Sequence, residues 1–188
     1  APRLARAVTE QMAFLEMGTA ELEVCQERLD RAQWSSQGPS RVELMYRPAA
    51  GLTARPLRRI ASGGEASRVM LACKVVLGDA DGIDTLVFDE VDAGVGGATA
   101  VALAQVLSHL AQSHQVIVVT HLAQVAVVGD RHYLVSKVGD AVPETTIEEI
   151  SGDERVEEVA RMLSGDQTQT SLDHAREMLA AAASQKIR

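Results

Sequence analysis

Hydrophobic and polar positions change their period several times along this chain, and each change predicts an element. Leu4, Val8, Met12 and Leu15 recur every three or four residues, which predicts a helix over 1–16, with Gly18 as its stop. The stretch "TAELEVCQ" then alternates, placing Ala20, Leu22 and Val24 on one face of a half-buried strand. Val8, Leu15, Leu22 and Leu29 also stand at sevenfold spacing, the trace of a coiled coil. Helix followed by strand is the preferred reading. "DRAQWSSQGPS" (30–40) reads as a polar loop, and "RVELMYRP" (41–48) as a strand ended by proline. A helix follows from Glu65 to Leu77, with Val69, Cys73, Val76 and Leu77 inward.

The middle of the chain has a different character. "DTLVFDE" (84–90) and "HQVIVVTH" (114–121) are short continuous apolar runs, each closed by polar residues. Between them "ATAVALAQVLSHLAQ" (98–112) predicts a helix with Leu103, Leu107, Leu110 and Ala111 on one face. Strand, helix, strand with apolar strands predicts a parallel sheet covered on both sides, and therefore an α/β fold. Ligands of such sheets gather at the carboxyl ends of the strands, where Asp89, Glu90, Thr120 and His121 lie. A hairpin is predicted from "RHYLVSK" (131–137) and "ETTIEEI" (144–150), joined by a turn containing Gly139 and Pro143. Ser151 and Glu154 have capping-box spacing ahead of Val156, Val159, Ala160 and Leu163, with Gly165 as the stop. A last helix carries Leu172, Ala175 and Leu179.

Length and composition narrow the class. The 188 residues suit one domain with a small appendage, and 46% hydrophobic content excludes gross disorder. A net charge of −8 argues against a surface that attracts nucleic acid everywhere, so any such contact is local. Cys25 and Cys73 stand far apart with no C-x-x-C, which fits a reduced intracellular protein better than a disulfide scaffold or zinc site. No run approaches 18 apolar residues, and "APRLARAVTE" lacks the apolar region of a signal peptide. A chain starting at Ala1 is expected to be a processed or excised piece of something longer.

Three groups could carry chemistry. Asp89-Glu90 leave a buried strand at its carboxyl end, where one carboxylate can hold Mg²⁺ through its water shell while its neighbour deprotonates a water. The bland alternative is an acidic strand exit. His121 ends the next apolar strand and could touch a phosphate, or be a satisfied strand-end histidine. "IASGGEASR" (60–68) opens a helix whose free N–H groups favour an anion, with Ser62 adding a hydroxyl; otherwise it is a glycine turn. Gly94-Val-Gly96-Gly-Ala-Thr99 imitates a dinucleotide fingerprint, but the strand that follows ends Thr120-His121 where a ribose-binding acid is required. His109, His114, His132 and His174 have no metal-ligand spacing and read as surface or hairpin positions.

The order of these groups is more specific than any one of them. A Ser-Gly-Gly helix start, a strand ending Asp-Glu and a strand ending in His together resemble the second half of an ABC-type ATPase head. "RRIASGGEASRVMLACKVVL", "DTLVFDEVDAGVGGATA", "VIVVTHLAQVAVVGDRHYLVSK" and "ARMLSG" look like the C-terminal head segment of the RecN family, bacterial DNA-repair ATPases related to the SMC proteins. The similarity covers most of residues 42–165. ABC transporters, a weaker alternative, typically follow Asp-Glu with a Pro-Thr-Ser-Ala-Leu-Asp-like loop, where Val91-Asp92-Ala93-Gly94-Val95-Gly96-Gly97 stands here. The final aspartate of that loop is a glycine in this chain, so its role does not carry over. Ala61 and Glu65 depart from Leu-Ser-Gly-Gly-Gln, the glutamate being similar to SMC-type heads.

The resemblance implies the C-terminal lobe of a P-loop ATPase head, a mainly parallel sheet flanked by helices with added antiparallel strands. Asp89 would hold the shell of Mg²⁺, Glu90 would be the general base, and His121 would contact the γ-phosphate. Ser62, Gly63, Gly64 and Glu65 would meet ATP bound on a second head, and the loop with Asp92, Gly94 and Gly96 would line the dimer seam. No G-x-x-x-x-G-K-[ST] occurs, nor any Gly-Lys pair. In the family that Walker A loop belongs to the N-terminal half of the head, beyond a long coiled coil. Residues 1–18 would then leave the coiled coil and 19–188 form the half-head. Implied partners are the N-terminal half, a second head and DNA, in the cytoplasm and on the nucleoid, in double-strand break repair and recombination. The fragment alone is expected to be inactive. The competing class is a non-catalytic docking module for DNA or protein. Arg55, Arg58, Arg59 and Arg68 cluster near the Ser-Gly-Gly start as a solvated face, or as contacts to a second head or to DNA phosphates.

Overall fold

The computed structural model describes residues 1–36, 38–60, 62–138 and 144–186. Ala61 and the expected turn with Gly139 and Pro143 lie outside the described residues. The chain divides into two compact units, Ala1–Val95 with Leu110–Val119, and Gly96–His109 with Thr120–Arg188.

In the first unit, helix α1 (Pro2–Phe14) starts with proline in its first turn, where a missing N–H costs nothing. Its Val8 and Met12, with Leu15 beyond its end, are buried, each such side chain stabilising by about 1.5–3 kcal/mol. Gly18 follows in the left-handed region (φ 65°). Strand β1 (Glu21–Arg28) pairs antiparallel with β2 (Ser40–Arg47), and Met45 and Tyr46 of β2 pair with the short β3 (Arg55–Pro56). The register puts Leu22 opposite Tyr46 on the buried face, while Glu21 and Glu23 meet Arg47 on the other. Alternation, not the sevenfold trace, therefore decides residues 20–28.

Helix α2 (Gly63–Leu77) is capped by Ser62, whose hydroxyl accepts from the Glu65 amide, and ends at Gly78. Val69 and Cys73 are buried as expected, but so are Leu71, Ala72 and Lys74, while Leu77 is 40% exposed. A helix enclosed on several sides has no single apolar stripe, so its inward face cannot be read from spacing. Strand β4 (Thr85–Phe88) pairs in parallel with β5 (Gln115–Val118), Leu86 opposite Val116 and Phe88 opposite Val118. Leu86 and Phe88 are buried, but Val87 is 66%, Ile117 48% and Val119 56% exposed. The strands expected to be covered on both sides are covered on one. The fold class is α/β, with the parallel part reduced here to one pair and the other described strands antiparallel.

Helix α3 (Gly97–Leu110), in the second unit up to His109, buries Leu103 and Leu107; its last residue, Leu110, is buried too, and Ala111 beyond it is exposed. A single turn α4 (Ala123–Ala126) leads to the hairpin β6 (His132–Val138) and β7 (Glu144–Ile150), and then to α5 (Gly152–Ser164) and α6 (Gln169–Lys186). Ala123, Val127, Val159, Ala160, Ala175 and Ala182 form the core, small residues that let the helices approach closely. Gly165 ends α5 in the left-handed region, as expected. Ser151 is the N-cap, but its side chain makes no cap bond, so the capping box does not form. The left-handed Gly152 (φ 54°) brings the chain into α5 by another route. Among the described residues no helix is long and apolar enough to cross a membrane. Both cysteines are free, Cys25 exposed and Cys73 buried.

Candidate functional site

The first unit assembles its candidate residues around the exit of β4. Two carbonyl-to-amide turns fold the chain there, Ala93 N to Glu90 O at 3.0 Å and Val95 N to Asp92 O at 3.0 Å. Glu90 takes a left-handed backbone (φ 56°), which costs a non-glycine residue about 1–2 kcal/mol. Helix α2 holds the loop from the side. Ser67 Oγ donates to Asp89 O at 2.7 Å, and Arg68 Nη1 donates to Val91 O at 3.3 Å and Ala93 O at 2.8 Å. Val91 and Asp92 are buried beneath the turn, leaving Asp89 and Glu90 exposed at its surface.

The two glycines face this loop directly. A Cβ on Gly63 would collide with Glu90 Oε2, and one on Gly64 would lie 2.8 Å from Ala93 Cβ and 3.1 Å from Glu90 O. Gly64 has no room for a side chain while the loop stays where it is, and Gly63 has none while the Glu90 carboxylate stays where it is. The helix start and the Asp-Glu exit are thus one packed unit within a single chain, a close approach that the sequence reading did not foresee. It also missed Ser67 and the role of Arg68. The signal was present: Arg68 lies four residues after Gly64 and so shares its helix face. Arg58 is likewise engaged within the chain, with Glu43 Oε1 at 2.9 Å.

Beyond the turn, Gly94 (φ 72°) and Gly97 (φ 56°) adopt left-handed backbone, and a Cβ on Gly96 would meet open space. His121 belongs to the second unit. It is exposed, and the chain bends around it as Leu122 N donates to Thr120 Oγ1 at 3.0 Å. His109 and His174 are exposed as expected. His114 is not: it is buried, with Nδ1 2.8 Å from Ser113 Oγ. His132 is half-buried, and its pKa is lowered by burial and then by the neighbouring Arg155 cation.

The donor set, carboxylate oxygens alone, suits a hard cation such as Mg²⁺. Among the described residues no group of three or more His, Cys, Asp or Glu could cage a metal. Mg²⁺ needs no such cage, because it keeps several waters and takes one or two carboxylates together with substrate phosphates. Exposed Asp89 and Glu90 at a strand end offer that. Beside them a groove of about 340 Å³ runs between α2 and β4, lined by Ser67, Met70, Ile83, Val87 and Phe88 among others. Met70, Ile83 and Val87 are largely exposed along it.

No family model matches the chain. It is 42% identical over 194 residues to the DNA repair protein RecN of Streptomyces coelicolor, covering 97% of this chain and 34% of that protein. To RecN of Deinococcus radiodurans it is 51% identical over 150 residues, covering 79% of this chain and 26% of that one. The chain thus spans between about a quarter and a third of these relatives. Among solved structures it is similar to an Smc head domain with coiled coil and joint from Pyrococcus yayanosii (TM-score 0.56, 21% identity, 96% of this chain and 29% of that one). A second is an Smc head domain with extended coiled coil from Pyrococcus furiosus, bound to the C-terminal domain of ScpA (TM-score 0.54, 23% identity, 79% of this chain and 34% of that one). These likenesses establish the fold as that of an Smc-type head lobe.

Proposed function

The chain belongs to the RecN family of DNA repair proteins, and we propose that it forms the C-terminal half of an SMC-like ATPase head acting in double-strand break repair and recombination. Residues 1–18 leave a coiled coil, and 19–188 supply the signature motif, the Walker B carboxylates and the switch histidine. The N-terminal half of the head brings the Walker A loop, and a second head in a homodimer completes each ATP site. DNA is the substrate surface, and the protein works in the cytoplasm on the nucleoid.

The observation that carries this reading is the packing of the Ser62-Gly63-Gly64 helix start against the Asp89-Glu90 exit. The Ser-Gly-Gly helix start and the Asp-Glu strand exit, distant in sequence, lie against one another on the elements the ATPase reading assigns to them, which supports that reading. The exposed apolar face of Met70, Ile83, Val87 and Ile117 supports a neighbour covering it, as the N-terminal half would.

Each residue then has a task. Asp89 would hold the hydration shell of Mg²⁺, which when bound would supply neutralisation of phosphate charge. Glu90 accepts a proton from the attacking water, a role whose removal typically costs about 10²–10⁴ in rate. His121 hydrogen-bonds the γ-phosphate. Ser62, Gly63, Gly64 and Glu65, at the N-terminus of α2, present the positive end of a helix dipole to ATP held by the second head. The loop with Asp92, Gly94 and Gly96 lies at the seam between heads.

Titration calorimetry tests the half-site claim. MgATP added to this chain alone should give no measurable binding, and a micromolar dissociation constant would overturn the assignment of the phosphate loop to another segment.

A further inference from the structure

The segment that carries His121 is tied at its far end by one guanidinium, in addition to its own turns, Val127 N to Ala123 O at 3.0 Å and Gly129 N to Ala126 O at 3.3 Å. His121 sits in the bend between Thr120 and Leu122, and the chain runs straight on into α4, whose Ala123, Val125 and Ala126 are buried. At the carbonyl end of that turn, Arg155 Nη2 donates to Ala126 O at 3.1 Å, Val127 O at 3.3 Å and Gly129 O at 2.8 Å. Three carbonyls converging on one nitrogen leave the backbone little freedom between Ala126 and Gly129. The cation also meets the negative end of α4, where it is electrostatically favoured. Arg155 lies four residues before Val159, so the α5 face that buries Val159 in the core also delivers the guanidinium to the segment. Its pKa is lowered by burial and raised again by Asp130, so the clamp sits in a partly desolvated place.

We infer that Arg155 is a positioning residue for His121: by clamping Ala126–Gly129 it fixes the segment through which His121 is presented. Sequence reading gave no sign of this, because Arg155 is one of many charged residues on an amphipathic helix. The kinetic consequence rests on the ATPase reading above; the structural one does not.

The experiment has two arms. In hydrogen exchange on the chain itself, Arg155→Met keeps the stem but removes every donor, and amides of Leu122–Gly129 should exchange about tenfold faster. Amides around Val159, and those of α6, should hold their rates. Arg155→Lys brings three hydrogens to three carbonyls and should keep most of the protection. In the complete head, Arg155→Met should lower kcat about tenfold with KM for ATP within about twofold, and Lys should restore most of it. Adding His121→Ala to Arg155→Met should cost no more than His121→Ala alone. Unchanged exchange over Leu122–Gly129, or equal acceleration in α5 and α6, overturns the clamp. Losses that multiply in the double variant overturn its action through His121. Intact turnover in His121→Ala alone removes His121 from ATP chemistry and sinks the functional reading, while the exchange arm still decides the clamp.

Discussion

Gly64→Ala puts one methyl group between α2 and the Glu90 loop, and the structure sets its cost. The new Cβ would sit 2.8 Å from Ala93 Cβ, 3.1 Å from Glu90 O and 3.2 Å from Ala93 O. Carbon atoms in good contact stand about 3.5–4.0 Å apart, so the loop must retreat. Two of those three atoms are backbone, already tied by Arg68 and by the Glu90–Ala93 turn, so no flexible side chain absorbs the shift. Overpacking of this kind costs about 1–3 kcal/mol. Alanine in place of glycine returns about 0.5–1 kcal/mol of helix preference. With mid-range values of about 2 and about 0.75 kcal/mol for those two terms, the net loss is about 1 kcal/mol. Gly63→Ala is the control, since its clash is with the carboxylate end of Glu90, which can swing away. That variant should fold as stably as the parent, or a few tenths of a kcal/mol better, while displacing Glu90. Urea unfolding followed by fluorescence of Trp34, in the same compact unit, measures both. Equal stability of Gly64→Ala and parent, or an equal loss in both variants, would refute the packing described.

Arg68→Met removes the donors to Val91 O and Ala93 O but keeps the apolar stem. It should speed hydrogen exchange over Val91–Val95 and lower stability by about 1–2 kcal/mol, modest because one of the bonds is exposed; unchanged exchange there would mean that the loop holds itself. His132 predicts an acid sensitivity. Burial and the Arg155 charge lower its folded pKa while Glu158 opposes them, so the unfolded chain takes up the proton first. Its contribution is present above the ordinary histidine range and is lost as pH falls toward the lowered folded value. Urea midpoints at pH 7.5 and 5.5 should converge in His132→Asn relative to the parent, and an identical pH dependence in both would exclude His132 as the source.

Much of this was legible from residue patterns, and the failures have physical causes. Period two over 20–28 and 41–47 gave the β1–β2 pair, because one face is buried and the other charged. Leu4, Val8 and Met12 gave α1, because that helix has one apolar face. Ser-Gly-Gly opens α2 and Asp-Glu closes β4, each at the boundary its pattern predicted, and these two lie together in the first unit. Where burial came from several sides at once, as around Leu71 and Lys74, spacing was uninformative. Val87, Ile117 and Val119 read as core because composition cannot tell a covered strand face from one exposed within this chain. Ser67, Arg68 and Arg155 act on backbone carbonyls, and carbonyls are the same at every position. No sequence pattern announces such a bond.

The measurement closest to the central claim is ATP turnover by the complete head carrying Glu90→Gln. The substitution keeps the size of the side chain and its place beside Gly63, and removes only its ability to take a proton. The account predicts that steady-state hydrolysis is abolished while ATP still brings two heads together. Hydrolysis at the parent rate would contradict it, and would take the general base away from Glu90.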